Sequence, residues 1–135
     1  MDNQQLQNAF QKLKKALVAL SVILKKPMDE DRSNMDATIK RFEFTIELFW
    51  KFLKRFLETK GIVTKSPKDA LKEAYKIGLI DNEELWLSML NDRNLTSHTY
   101  DEDLADEIYE HIKDYYPVLQ STFDKLSKEF VQESK

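Results

Sequence analysis

Cysteine is absent from this 135-residue chain, and only two glycines and three prolines occur. Each shortage removes something. Without cysteine there is no disulfide, no thiolate zinc site and no cysteine nucleophile, a composition that fits a reducing cytoplasm. With Gly61 and Gly78 alone, neither a P-loop nor the glycine-rich turn of a dinucleotide-binding unit can be written. The same scarcity leaves little material for the tight turns of an all-β protein. Long apolar runs are also few. The segment KKALVALSVIL, from Lys14 to Leu24, puts basic residues before an apolar stretch in the manner of a secretion signal. It is followed by KKPMDE, without a small-residue cleavage site, and is too short to span a bilayer. Its apolar positions continue a helical period begun upstream, so it reads as an amphipathic core helix, and no membrane partner is expected.

What is present suits a globular protein. Hydrophobic residues make up 41% and charged residues 33%, the balance of a soluble chain that folds rather than one that stays disordered. The length predicts one domain over residues 1–135, burying about two-thirds of its unfolded surface. The net charge of −3 hides an asymmetry. Between Lys51 and Lys76 there are eight basic residues against three acids; between Asp81 and Asp114 there are eleven acids against Arg93 and Lys113. Such a split can give a polyanion a landing surface on one side, although two solvated helix faces are the simpler explanation of charge alone.

The apolar spacing is helical throughout. Leu6, Phe10, Leu13, Leu17, Leu20 and Leu24 form one stripe of a first helix, which Pro27 ends. The polar stretch MDEDRSN, residues 28–34, is a loop with several candidate N-caps. A second helix runs through ATIKRFEFTIELFWKFLKRFLETK to Gly61, with Ile39, Phe42, Ile46, Phe49, Leu53 and Phe56 as its main stripe. Phe44, Leu48, Trp50, Phe52 and Leu57 extend the apolar surface round the circumference, the pattern of a central helix in a bundle. Ser66 caps a third helix with Pro67 at its first position, and Gly78 closes it. Asp81 and Glu84 stand in capping-box spacing at the start of a fourth, which turns Leu85, Met89 and Trp86 inward. A last helix begins near Asp101 or Asp103 and carries Leu104, Ile108, Ile112, Tyr115 or Tyr116, Leu119, Phe123, Leu126 and Phe130. Its period continues across Pro117, which predicts one kinked helix. The expected fold is all-α, an antiparallel up-and-down bundle of about five helices.

One stretch stands apart. NDRNLTSHTY, residues 91–100, holds an arginine, one of two histidines, and a tyrosine two residues later. Residues five apart on an ideal helix point about 140° away from each other, so Arg93 and His98 cooperate only if the helix stops between them. The Asn, Thr and Ser residues there favour such a stop near Thr96 or Ser97. An arginine fork binds phosphate and stabilises charge developing on it, and histidine exchanges protons near neutrality. Together the two can cleave RNA without a metal, the 2′-hydroxyl acting as internal nucleophile. On spacing alone, a salt-bridged arginine beside an exposed histidine is the simpler account.

RNLTSHTY, at the end of the penultimate helix of a small helical domain, resembles the R-x4-H-x-Y signature of the HEPN superfamily. The likeness is to its bacterial branch of nucleotidyltransferase substrate-binding proteins, whose aromatic-rich core helix RFEFTIELFWKFLK also resembles. The resemblance covers nearly the whole chain. It implies a bundle similar to the helical domain of kanamycin nucleotidyltransferase and a partner, a minimal nucleotidyltransferase encoded nearby. It further implies a toxin–antitoxin pair in which a HEPN dimer acts as RNase and the nucleotidyltransferase silences it by adding AMP to the motif tyrosine. Arg93 would then bind phosphate, His98 would be the general acid/base, Tyr100 the modified residue, and Asn94 an orienting neighbour. The alternative within the same branch is a non-catalytic substrate-binding subunit of a two-component nucleotidyltransferase. No cofactor and no metal are implied.

Two other clusters carry less. Asp101–Asp103 imitates the paired aspartates of a nucleotidyltransferase but lacks the strand and Gly-Ser turn, so these acids are expected to start a helix and the chain is not itself a nucleotidyltransferase. His111 lies near Glu107 and Glu110, too few ligands for a metal site, and is expected to be a partly exposed structural histidine. Asp92, Asp101, Glu102 and Asp103 flank the motif and would repel RNA. This predicts a homodimer in which the basic 51–76 segment of one copy crosses to the motif of the other.

Overall fold

In the computed structural model, which describes residues 3–27 and 32–134, the described residues form five α-helices and one short 3-10 turn. They are α1 (Asn3–Leu24), α2 (Ser33–Glu58), α3 (Pro67–Lys76), α4 (Glu83–Leu95), the 3-10 turn (Thr96–His98) and α5 (Glu102–Ser134). No strand occurs among the described residues, and no helix among them is long and apolar enough to cross a membrane.

Contacts give the directions. Along α2, Arg41 donates to the Ala19 carbonyl, Thr45 to the Ala16 carbonyl and Arg55 to Gln5. Partner numbers fall as α2 numbers rise, so α1 and α2 are antiparallel. The rings Phe42 and Tyr115, then Phe52 and Phe130, rise together, so α2 and α5 are parallel. Phe49 against Trp86 and Glu47 against Arg93 set α4 antiparallel to α2. The four long helices thus alternate in direction, with the short α3 inserted between α2 and α4. This is the up-and-down bundle the periodicity implied. α2 packs against every other element, as its apolar circumference requires: Ile39, Phe42, Ile46, Phe49, Phe52, Leu53, Phe56 and Leu57 are all buried. At one end of the core Phe10 stacks on both Phe123 and Phe130, with centroids 4.9 and 4.8 Å away, and tilts against Phe52 at 5.7 Å.

Several local expectations shift. The stripe on α1 turns inward at Ile23 rather than Leu24, which is only half-buried; a helix of 3.6 residues per turn drifts off a strict four-three alternation. Phe44 does not widen the core; it is 52% exposed. On α4, Trp86, Met89 and Leu90 are the buried apolar residues and Leu85 is half-buried. The N-cap of α4 is Asn82, whose Oδ1 accepts from the Leu85 amide at 3.1 Å. Asp81 lies one residue too early for that bond and faces Lys125 Nζ at 3.4 Å instead. Residues 28–31 of the expected polar loop lie outside the described residues. α2 opens on Arg32, with a left-handed φ of 64°, and its guanidinium reaches across to Asp106 of α5 at 2.7 Å. Ser66 caps α3 as expected, accepting from Asp69 N, and α5 passes Pro117 as one helix.

Candidate functional site

The α4 helix ends inside NDRNLTSHTY. Leu95 is its last residue and Thr96–His98 tighten into the 3-10 turn. Three hydroxyls bring this about. Thr96 Oγ1 donates to the Arg93 carbonyl at 2.7 Å, Ser97 Oγ to the Asn94 carbonyl at 3.5 Å, and Thr99 Oγ1 to the Thr96 carbonyl at 2.9 Å. Side chains thereby take up carbonyls that a continuing helix would have bonded. Asp101 then starts α5, its Oδ1 accepting from the amides of Asp103 and Leu104 at 3.0 and 3.3 Å. The acids at 101–103 belong to a helix start, where negative charge is favoured.

Arg93 sits in the last turn of α4. Its Nη2 donates to Glu47 Oε2 of α2 at 2.5 Å, and its Nη1 to Asn94 Oδ1 at 3.2 Å. Its Nε is buried and has no hydrogen-bond partner. His98 is exposed, and its ring meets Tyr100 edge-on with centroids 6.0 Å apart. Tyr100 is 84% exposed. The turn therefore groups His98 with Tyr100 and Arg93 with Asn94, while no hydrogen bond or ion pair joins Arg93 to His98.

Two features were not legible beforehand. The first is Glu47, which accepts from Trp50 Nε1 at 3.2 Å and lies 3.4 Å from Lys51 Nζ, besides holding Arg93. Partial burial pushes its carboxyl up, but the Trp50 hydrogen bond and the charges of Arg93 and Lys51 outweigh it, and the net displacement is below the usual glutamate range. The second is Asp92. Sequence placed it among the acids that would repel RNA, yet it is 6% exposed. Its Oδ2 accepts from the Tyr115 hydroxyl at 2.6 Å and meets His111 Nδ1 at 2.8 Å. Burial first, then the bond to Asp92, pushes the Tyr115 hydroxyl well above its usual range, so it remains a donor. His111, half-exposed, is tied to α4 through this carboxylate. Only the fold brings positions 19 and 23 residues from Asp92 onto it.

Residues 2–128 match the family model described as nucleotidyltransferase substrate binding protein like. The chain belongs to this family, which is HEPN-like. A Haemophilus influenzae protein named Probable ribonuclease HepT is 39% identical over 90 residues, 63% of this chain. The match spans 60% of that relative's length. A crystal structure from Thermus thermophilus superposes with a TM-score of 0.77 at 37% identity, covering 84% of this chain and 98% of that one. A Haemophilus influenzae structure, described as revealing the fold of a substrate binding domain of a nucleotidyltransferase, superposes with a TM-score of 0.67 at 30% identity, covering 93% and 99%. The family and its bundle thus agree with the resemblance carried by Arg93, His98 and Tyr100.

Proposed function

We propose that this chain, read as one domain, is the HEPN-type partner of a stand-alone minimal nucleotidyltransferase, in a toxin–antitoxin-like pair within the cytoplasm. Its activity is metal-independent cleavage of RNA by a homodimer. The observation that carries the reading is the helix break after Leu95, which leaves His98 exposed beside Tyr100 while Arg93 remains at the same helix end. His98 accepts the proton of a ribose 2′-hydroxyl; the 2′-oxygen attacks phosphorus, the bond to the 5′-oxygen breaks, and a proton is returned to that leaving oxygen. Arg93, oriented by Asn94, stabilises the charge on the phosphoryl oxygens. Products end in a 2′,3′-cyclic phosphate and a 5′-hydroxyl, and DNA is not cut. Adenylylation of Tyr100, whose ring meets that of His98 edge-on, by the partner adds bulk and negative charge beside the site and blocks it.

Glu47 favours a second reading. A carboxylate already occupies the guanidinium of Arg93, as it would in a non-catalytic subunit that presents substrate to the nucleotidyltransferase. One assay separates the two. Purified protein, treated with phosphodiesterase to remove any AMP, is incubated with RNA in a metal chelator beside an Arg93→Ala/His98→Ala double variant. Cleavage by the wild type alone, with cyclic-phosphate ends, is expected. RNA left intact by both would discard the nuclease and leave the binding subunit.

A further inference from the structure

Outside the motif, an apolar trough opens between α1 and α2. One stretch of it, about 470 Å³, is walled by Lys12, Lys15, Arg41, Phe44, Glu47 and Leu48. A second stretch continues from it, sharing Lys12 and Leu48 and adding Lys51 and Arg55. From Arg41 to Arg55 the trough follows α2 for about 21 Å.

Its chemistry is one-sided. α1 has no acidic residue between Asn3 and Leu24. Lys12 and Lys15 are exposed, and no carboxylate pairs with either among the described residues. Phe44 stands in the wall with half its surface exposed, an unusual position for a large aromatic on a core helix. The one carboxylate in the wall, Glu47, is already engaged by Arg93, Trp50 and Lys51. Through that residue the trough reaches the motif arginine, because Glu47 lines the groove and holds Arg93 from behind.

We propose that this trough is the binding track for single-stranded RNA, with Phe44 as a stacking platform for a base and Lys12 and Lys15 as phosphate contacts. Exposed aromatic surface flanked by lysine and arginine along an open channel is what unpaired nucleic acid uses, since every free base offers a face to stack and every linkage a charge to neutralise. A duplex offers phosphates but keeps its base faces stacked internally, so Phe44 would contribute nothing to it. The track belongs to the same chain as the motif and carries the basic charge that the acidic turn at 101–103 lacks. The inference rests on the reading of Arg93 and His98 as an RNA-cleaving site and names the form of substrate that site receives.

The test is fluorescence anisotropy with a labelled short RNA, single-stranded or annealed to its complement, in the His98→Ala background so that no cleavage intervenes. Lys12→Glu/Lys15→Glu should weaken single-strand binding by at least about tenfold and flatten its dependence on salt between about 50 and 200 mM. Phe44→Ala should weaken it by about five- to tenfold with the salt slope unchanged, Phe44→Trp should restore it, and neither should alter duplex binding. Lys12, Lys15 and Phe44 are all exposed, so melting curves should match the parent. Variants that bind like the parent, a parent that binds no RNA, or a Phe44→Ala loss that is equal for duplex would overturn the proposal. So would a change of oligomeric state by light scattering in the same variants, which would make the trough a protein interface. The nuclease reading is judged separately by cleavage with unmodified His98; intact RNA there, with anisotropy losses as expected, would sink the nuclease and leave the track standing.

Discussion

At the scale of single residues, Glu47 decides the state of the motif arginine. Its carboxyl lies below the usual value of 4.5 in the folded chain. A carboxyl lowered by folding contributes stability that is complete above its unfolded pKa and declines as pH falls through the folded one. The clamp on Arg93 is therefore intact at neutrality and is lost only in acid. Glu47→Gln should lower the melting temperature at neutral pH, and the gap to wild type should close as pH is taken below the ordinary glutamate range. A gap that stays constant down to about pH 3 would mean that the charge of Glu47 contributes nothing to the fold. Asp92, one residue before Arg93, works differently: it bonds Tyr115 and His111 and so ties α4 to α5.

At the scale of elements, two backbone devices make opposite contributions. Gly78 has φ +81° and ends α3: its amide bonds the Tyr75 carbonyl and the Leu79 amide bonds the Ala74 carbonyl, the paired closure of a Schellman motif. A Cβ there would meet nothing within 4 Å. Gly78→Ala should thus cost only the left-handed strain, about 1 kcal/mol in urea unfolding, and Gly78→Asn less. A loss near 3 kcal/mol would point to a clash that the open surroundings do not contain. Pro117 lies exposed within α5 and cannot donate to the carbonyl of Lys113, four residues earlier. Pro117→Ala should raise stability by about 1–3 kcal/mol. An unchanged or lower midpoint would show that the ring packs usefully where the helix passes it.

At the scale of the whole molecule, stability concentrates where α1, α2 and α5 meet. Phe52 is fully buried and touches Phe10, Phe56 and Phe130. Phe52→Ala should cost about 3–5 kcal/mol in chemical denaturation, whereas Phe44→Ala, eight residues earlier on the same helix, should cost little because its ring is half in solvent. Equal losses at the two positions would contradict the division of α2 into a core face and a trough face. The motif lies at the α4–α5 junction and the trough at α1–α2, joined through Glu47.

The number, order and extent of the helices were readable from the chain itself, because apolar period, Ser66, Pro67, Gly61 and Gly78 are local signals that each act within a turn or two. The stop between Arg93 and His98 was readable for the same reason, being made by Thr96, Ser97 and Thr99 on carbonyls three residues away. What surrounds Arg93 was not. Glu47 lies 46 residues from it, and no local pattern distinguishes a carboxylate that holds an arginine from one that faces water. Asp92 looked like one acid of an exposed cluster until packing of α4 on α5 buried it against Tyr115 and His111. Phe44, Phe52 and Leu57 were alike in extending the apolar surface of α2, and only the packing separates the exposed Phe44 from the buried Phe52 and Leu57. Periodicity states how much apolar surface a helix has; which part of it a neighbour covers depends on the angle and offset at which helices meet, and only the folded bundle determines that.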